Sequence, residues 1–173
     1  MELSSKLDGE FPESIVVGVT QATIDVCDNP NPGTVYEAKF SLQHCVSIAI
    51  LYGQIGFDSF DSEARQQASG LAKKFSLKCN EEFEKDYPDA WGAEVKVKLT
   101  NGKELSVLRK NAKGDPEARL SPKEMLEKAE MLFRYGGVPN AEVWYERILG
   151  LSREKSFCDS DLIHLLDVSS TIS

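Results

Sequence analysis

Ala93-Glu94-Val95-Lys96-Val97-Lys98-Leu99-Thr100-Asn101-Gly102-Lys103 is the stretch whose reading decides the fold class. Ala93, Val95, Val97 and Leu99 alternate with Glu94, Lys96 and Lys98, the period of a strand with one apolar and one charged face. Asn101-Gly102 follows, the pair that supplies the two positive-φ positions of a type I′ turn. Leu105, Val107 and Arg109 continue a return strand. The result is an antiparallel ribbon that packs on one side only.

Outward from the ribbon the signals alternate between strand and helix. Ile15 to Val26 is rich in β-branched residues and reads as a strand with Gly18 as its weak point. Asp28-Asn29-Pro30-Asn31-Pro32-Gly33 is a loop with fixed turns. From Glu37 to Gly53 a polar entry runs straight into an apolar helix. Leu42, Cys45, Val46, Ala49 and Ile50 form its stripe. Ile48 and Leu51 widen that stripe, so the helix is expected to be buried on most sides. Gly53 suits a left-handed cap. Ile55, Phe57 and Phe60 are expected to pack down locally. Asp61 or Ser62 caps a second helix over Glu63 to Lys74. Phe75 to Cys79 is a short strand, and Asn80 to Asp89 an acidic loop.

Downstream, Ser121-Pro122-Lys123-Glu124 is a capping box with proline at the first helical position. The helix it opens is amphipathic and stops at Gly136-Gly137. Asn140 caps another helix, and Ser160 to Leu166 is a last short one. Few strands, one certain hairpin and several helices predict an α+β fold. It has two layers: a small, mainly antiparallel sheet covered by helices, followed by carboxy-terminal helices. The expected division is a loose lead-in over 1–13, a small α+β domain over 14–120, and helices packed on it over 121–173.

The 173 residues carry a formal net charge of -8 and are 41% hydrophobic and 28% charged. An acidic chain of this kind lacks the basic surface that nucleic-acid phosphates require. No apolar run is long enough to span a bilayer, and the first residues lack a secretory pattern. The expected setting is the cytoplasm or the mitochondrial matrix, with neither nucleic acid nor membrane as partner. Cys27, Cys45, Cys79 and Cys158 form no C-x-x-C pair, and with His44 and His164 they have the wrong spacing for a closed zinc site. They read as free thiols in a reducing compartment.

Three residues stand out as candidates for chemistry. Lys39 sits just before the apolar stripe, near a helix start whose free N–H groups favour anions. Ser41 either caps that start or binds a carboxylate oxygen, and Lys39 is either its cationic companion or a solvated surface lysine. His44, three residues on, is either an acid–base or binding group or a packed helix-face histidine. Asp25 with Asp28, and the Glu81 to Asp86 cluster, read as solvated carboxylates. Tyr87 before Pro88 reads as a loop anchor, and Trp91, Trp144 and Tyr145 as core or interface aromatics. No phosphate loop or Ser-His-Asp set is present.

Ala38-Lys39-Phe40-Ser41-Leu42 resembles the signature that opens the smaller domain of the MmgE/PrpD family, which includes 2-methylcitrate dehydratase and cis-aconitate decarboxylase. Ile15 to Val19, Leu71 to Leu77, Ala93 to Lys103, Gly114-Asp115-Pro116 and Leu120 to Glu124 are similar to further family segments, in the family's order. The resemblance implies the smaller, carboxy-terminal domain of a lyase or isomerase acting on small polycarboxylates, with no resident metal or cofactor. It also implies that most catalytic groups belong to a large helical domain, which is missing here or separately encoded. Lys39 and Ser41, with His44, would then line one wall of the substrate cleft. Two departures matter. Some members have histidine where Phe40 stands, and some decarboxylases have tyrosine where Cys79 stands. Both weaken the case for one particular decarboxylase activity. A fragment with little turnover of its own is therefore expected. A non-catalytic interaction or dimerisation module, including a homodimer, and a stand-alone binder of anionic metabolites are the alternatives.

Overall fold

The computed structural model describes residues 3–7 and 9–153. The described residues fall into two compact units, one through Ala118 and one from Arg119 onward.

The first unit is built on a four-stranded sheet of order β2-β1-β3-β4. Strand β1 spans Pro12–Val19, β2 Phe75–Cys79, β3 Ala93–Leu99 and β4 Glu104–Arg109. Strand β1 runs parallel to β2, with Ile15 opposite Phe75, and antiparallel to β3, with Ile15 opposite Val97. The β3–β4 ribbon is antiparallel, with Val95 opposite Val107. The sheet is thus mixed, mostly antiparallel and open, as the α+β reading requires. A parallel neighbour needs a long crossover, and the segment between β1 and β2 supplies it as helices. These are α1 (Gln21–Cys27), α2 (Val35–Lys39), α3 (Leu42–Tyr52), a 3-10 turn (Phe57–Phe60) and α4 (Ser62–Ala72).

Alternation sorts the sheet into two faces. Ile15, Val17 and Val19 of β1 and Val97 and Leu99 of β3 are almost fully buried. They share one cluster with Ile50 of α3, Leu71 of α4 and Leu7 from the residues ahead of β1. Each such side chain contributes about 1.5–3 kcal/mol by leaving water. Ile48 of α3 meets Ala64 and Ala68 of α4 in a second cluster, where the small alanines let the two helices approach closely. On the opposite face Lys96, Lys98, Glu104 and Ser106 are exposed. Lys96 pairs with Glu94 at 3.0 Å and Lys98 with Glu13 at 2.9 Å.

Several local expectations need correction. The strand expected to reach Val26 ends at Val19, because the Thr20 hydroxyl accepts from the Thr23 amide and caps α1. Tertiary setting overrides the β propensity of Thr23, Ile24 and Val26. The acidic segment after β2 is not a loop. Asn80 Oδ1 accepts from the amides of Glu82 and Phe83 and starts α5 (Glu81–Asp86). The hairpin turn is not type I′, since Gly102 (φ 84°) has positive φ and Asn101 does not. The Gly102 amide bonds the Leu99 carbonyl and the Leu99 amide bonds that of Lys103, so the loop has three residues with glycine in the left-handed position. Ile55 and Phe57 do not pack down; they are 43% and 38% exposed. Trp91 is exposed and meets the Tyr87 ring edge-on at 5.0 Å, beside a cis Tyr87–Pro88 bond.

The second unit holds α6 (Pro122–Tyr135) and α7 (Ala141–Arg153). The expected capping box is present: Ser121 Oγ accepts from the Glu124 amide, and Glu124 Oε2 accepts from the Ser121 amide. Gly136 ends α6. The Arg147 guanidinium lies 6.0 Å from the Trp144 ring centre. The helix expected over Ser160–Leu166, with His164 and Cys158, lies outside the described residues.

Candidate functional site

The polar segment expected to run straight into the signature helix is two helices, broken at Phe40 and Ser41. Helix α2 opens on a second capping box. The Thr34 hydroxyl accepts from the Glu37 amide, and Glu37 Oε2 accepts from the amides of Thr34 (2.9 Å) and Gly33 (2.7 Å). These bonds hold the Glu37 carboxyl below its ordinary value, with the Arg65 guanidinium adding a smaller pull in the same direction. Lys39 ends α2 and Ser41 begins the next helix as its N-cap. The Ser41 hydroxyl is buried and used twice. It accepts from the His44 amide at 3.0 Å and donates to the Asn29 carbonyl at 2.6 Å. It therefore ties the start of α3 to the proline loop, and both of these partners are structural.

Helix α3 was expected to bury a broad apolar surface. Instead Leu51 and Tyr52 are 41% and 51% exposed, while Gln43, His44 and Ser47 are buried. The stripe is rotated so that its first two turns place polar side chains inside. Gln43 Nε2 donates to Asp28 at 2.6 Å, a second tie to the loop. Among the described residues, the buried side-chain atoms without a protein partner are Gln43 Oε1, His44 Nδ1 and Ser47 Oγ, all on this one helix. Buried polar atoms are normally satisfied, so these three stand out from the rest of the fold.

His44 is 2% exposed. Its Nε2 lies 2.7 Å from the Ser59 carbonyl oxygen. A carbonyl only accepts, so Nε2 carries a hydrogen. The ring also lies 5.7 Å from that of Phe60, centre to centre. Lys39 Nζ stands 5.9 Å from the centre of the same Phe60 ring. Lys39, Phe60 and His44 thus form one corner, with the cation exposed and the imidazole buried. Phe40 instead meets the Tyr36 ring at 5.0 Å between centres, with the planes tilted by 43°.

Behind the corner is a cleft of about 240 Å³. The Pro30-Asn31-Pro32 loop, His44 and the α4 residues Arg65, Gln66, Ala68 and Ala72 contribute to its walls. Arg65 Nη1 donates to the Phe60 carbonyl at 2.7 Å, which fixes the guanidinium beside the 3-10 turn. Arg65, Gln43 and Asn31 escape a sequence reading focused on the signature. The available signal was weak: a glutamine on an apolar stripe, and an arginine four residues after the Asp61 cap.

The remaining candidates lie elsewhere. Asp25 accepts from Gln21 at 2.7 Å, and Asp86 pairs with Lys110 at 2.8 Å. Glu84 accepts from the Gln21 amide. Burial pushes the Cys45 thiol up to about 11, with Cys27 adding to the effect, so it is protonated near neutrality and a poor nucleophile. Among the described residues no group of three or more His, Cys, Asp or Glu is placed to hold a metal ion, and no helix is long and apolar enough to cross a membrane.

The model of the MmgE/PrpD C-terminal domain matches residues 2–144. The chain belongs to the MmgE/PrpD family, as its C-terminal domain. No curated protein matches it.

Proposed function

We propose that this chain forms one wall of a cleft for small polycarboxylates, in a lyase or isomerase of the 2-methylcitrate dehydratase or cis-aconitate decarboxylase kind. The observation that carries the reading is the corner of Lys39, Phe60 and His44 at the start of the family's signature helix. An exposed ammonium beside an ordered helix start is suited to a substrate carboxylate, and a positive charge there also stabilises the negative charge that develops when a neighbouring carbon loses its proton. Ser41 fixes the corner through its two bonds, and His44 backs it. In a dehydration the proton goes to a base, a hydroxyl group leaves as water, and a double bond forms between the two carbons. The base belongs to a helical partner domain, since none of the described groups at the corner is an obvious one. The setting we infer is the cytoplasm or the mitochondrial matrix, without a resident cofactor.

One wall does not hold base, acid and substrate together, so turnover by the chain alone should be negligible. The test is an assay of the purified 173-residue protein with 2-methylcitrate and cis-aconitate, paired with calorimetry of citrate-like acids. Weak binding that falls in Lys39→Ala, without turnover, is the expected result. Efficient dehydration by the chain alone would refute the reading.

A second reading, an interaction or dimerisation module, draws support from Tyr36 and Phe40, a tilted ring pair left 71% and 41% exposed. Such a surface suits the helical domain or a second copy. Ile48, an apparent surface candidate, is wholly buried and takes no part. Sedimentation of wild type against Tyr36→Ser separates the cases: a monomer at all concentrations removes the homodimer.

A further inference from the structure

We propose that two clefts meeting at Tyr52 form one groove that docks a basic amphipathic helix of a partner polypeptide. Neither reading above uses this surface: neither the Lys39 corner nor the Tyr36–Phe40 pair contributes to its walls.

The groove collects apolar side chains that the core leaves out. Leu51 and Tyr52 emerge at the end of α3, and Phe57 follows in the 3-10 turn. One cleft of about 310 Å³ is lined by Tyr52, Phe57 and the start of α4, and a second of about 410 Å³ by Tyr52, Leu51 and Phe11, which is 68% exposed. Tyr52 lines both, so the two clefts join at this residue. The junction is fixed. Gly53 turns the chain at φ 71°, and a Cβ there would lie 2.9 Å from Ser4 Oγ, so the residues ahead of β1 pack directly against the end of α3. The rim is acidic. Glu10, Asp58, Asp61 and Glu63 line the same clefts, and among the described residues no Lys or Arg does. Asp61 Oδ1 accepts from the Ala64 amide at 2.8 Å, and Glu63 Oε1 from the Gln67 side chain at 3.1 Å. Those partners are neutral, so they orient the carboxylates without cancelling their charge. Apolar clefts with such a rim select their occupant: apolar anchors at helical spacing fill the clefts, and flanking Lys or Arg meet the carboxylates. A second copy brings a net charge of -8, and residues 154–173 of the chain itself bring four acids against one lysine, so both are opposed where a basic helix is drawn in.

The test is fluorescence anisotropy of the full chain with a labelled helical peptide that carries leucines at i, i+3, i+4 and i+7 and lysines on both flanks. The control is the same peptide with glutamates in place of the lysines. The lysine peptide should bind at least about tenfold more tightly than the control, and its affinity should fall as salt rises. Tyr52→Ala and Phe11→Ala should each weaken it about tenfold, and Asp58→Lys with Glu63→Lys together about five- to tenfold. All four positions are exposed, so these variants keep the fold. Lys39→Ala should leave the peptide's affinity unchanged, which separates the groove from the polycarboxylate corner. Failure of the lysine peptide to bind, equal binding of the two peptides, or binding indifferent to Tyr52→Ala overturns the proposal. So does a wild-type dimer that Tyr52→Ala dissociates, because the groove would then belong to a second copy.

Discussion

The β3–β4 ribbon and the α2–α3 segment are both short, both start from a strong sequence signal, and end in different kinds of structure. In β3 of the ribbon polarity and burial agree: Val97 and Leu99 point inward, Lys96 and Lys98 outward. In α3 polarity and burial part company. Gln43, His44 and Ser47 are buried, while Leu51 and Tyr52 are exposed. The ribbon's inward residues join the main core. The helix start gives up some of that economy, burying polar groups that a packing-only design would replace. The contrast is why the site proposed above is placed at the helix start and not at the ribbon.

The contrast can be broken or sharpened by substitution. Leu99→Ala should have the largest effect, about 2–5 kcal/mol of unfolding free energy, because it opens a cavity beneath the sheet. Urea denaturation measures it, and a loss under about 1 kcal/mol would mean that the ribbon is not a core element. Gly92→Ala comes next. A Cβ there would lie 2.4 Å from Phe83 Cδ1, inside any normal contact. Overpacking of this kind costs about 1–3 kcal/mol, and an unchanged midpoint would show that the ring moves freely.

Ser41→Ala tests the helix start itself. It removes the cap of α3 and the tie to Asn29, for a loss of about 0.5–2 kcal/mol. Its citrate affinity should also fall, since the corner is no longer fixed. A stability loss with affinity intact would separate the cap from the site. Glu37→Gln should have the smallest effect, visible mainly in its pH dependence. The Glu37 carboxyl is held below its ordinary value of 4.5 by the Gly33 and Thr34 amides. Its stabilising contribution is therefore present above pH 4.5 and lost as pH falls through the lower folded value. Wild type should exceed the glutamine variant near neutrality and converge with it in acid; a gap independent of pH would show that the charge plays no part.

Legibility followed locality. The capping box at Ser121 and Glu124, the Gly53 cap (φ 71°) and the β3–β4 pairing were all readable, because each depends on residues within a few positions of one another. Thr20 and Asn80 were misread for a related reason. Both are caps, but each stands in a stretch whose composition points elsewhere: β-branched residues after Thr20, a run of acids after Asn80. The site was only half legible. Lys39, Ser41 and His44 were singled out, yet Ser41 turned out to hold the loop through Asn29, and Arg65 was missed because its place beside Phe60 depends on how α4 meets the 3-10 turn.

What the sequence determined by itself is the family, the ribbon and the order of the main elements, since period and caps act over short distances and need no partner. What tertiary structure decided is the break between α2 and α3, the rotation of α3, and the convergence of His44 and Arg65 on one cleft. Those depend on contacts between residues 12 to 15 positions apart, such as Asn29 with Ser41 and His44 with Ser59, whose geometry is set by the sheet and the packed helices beneath them. No periodicity records such contacts, because burial of a polar group is favoured or opposed only by what lies across from it.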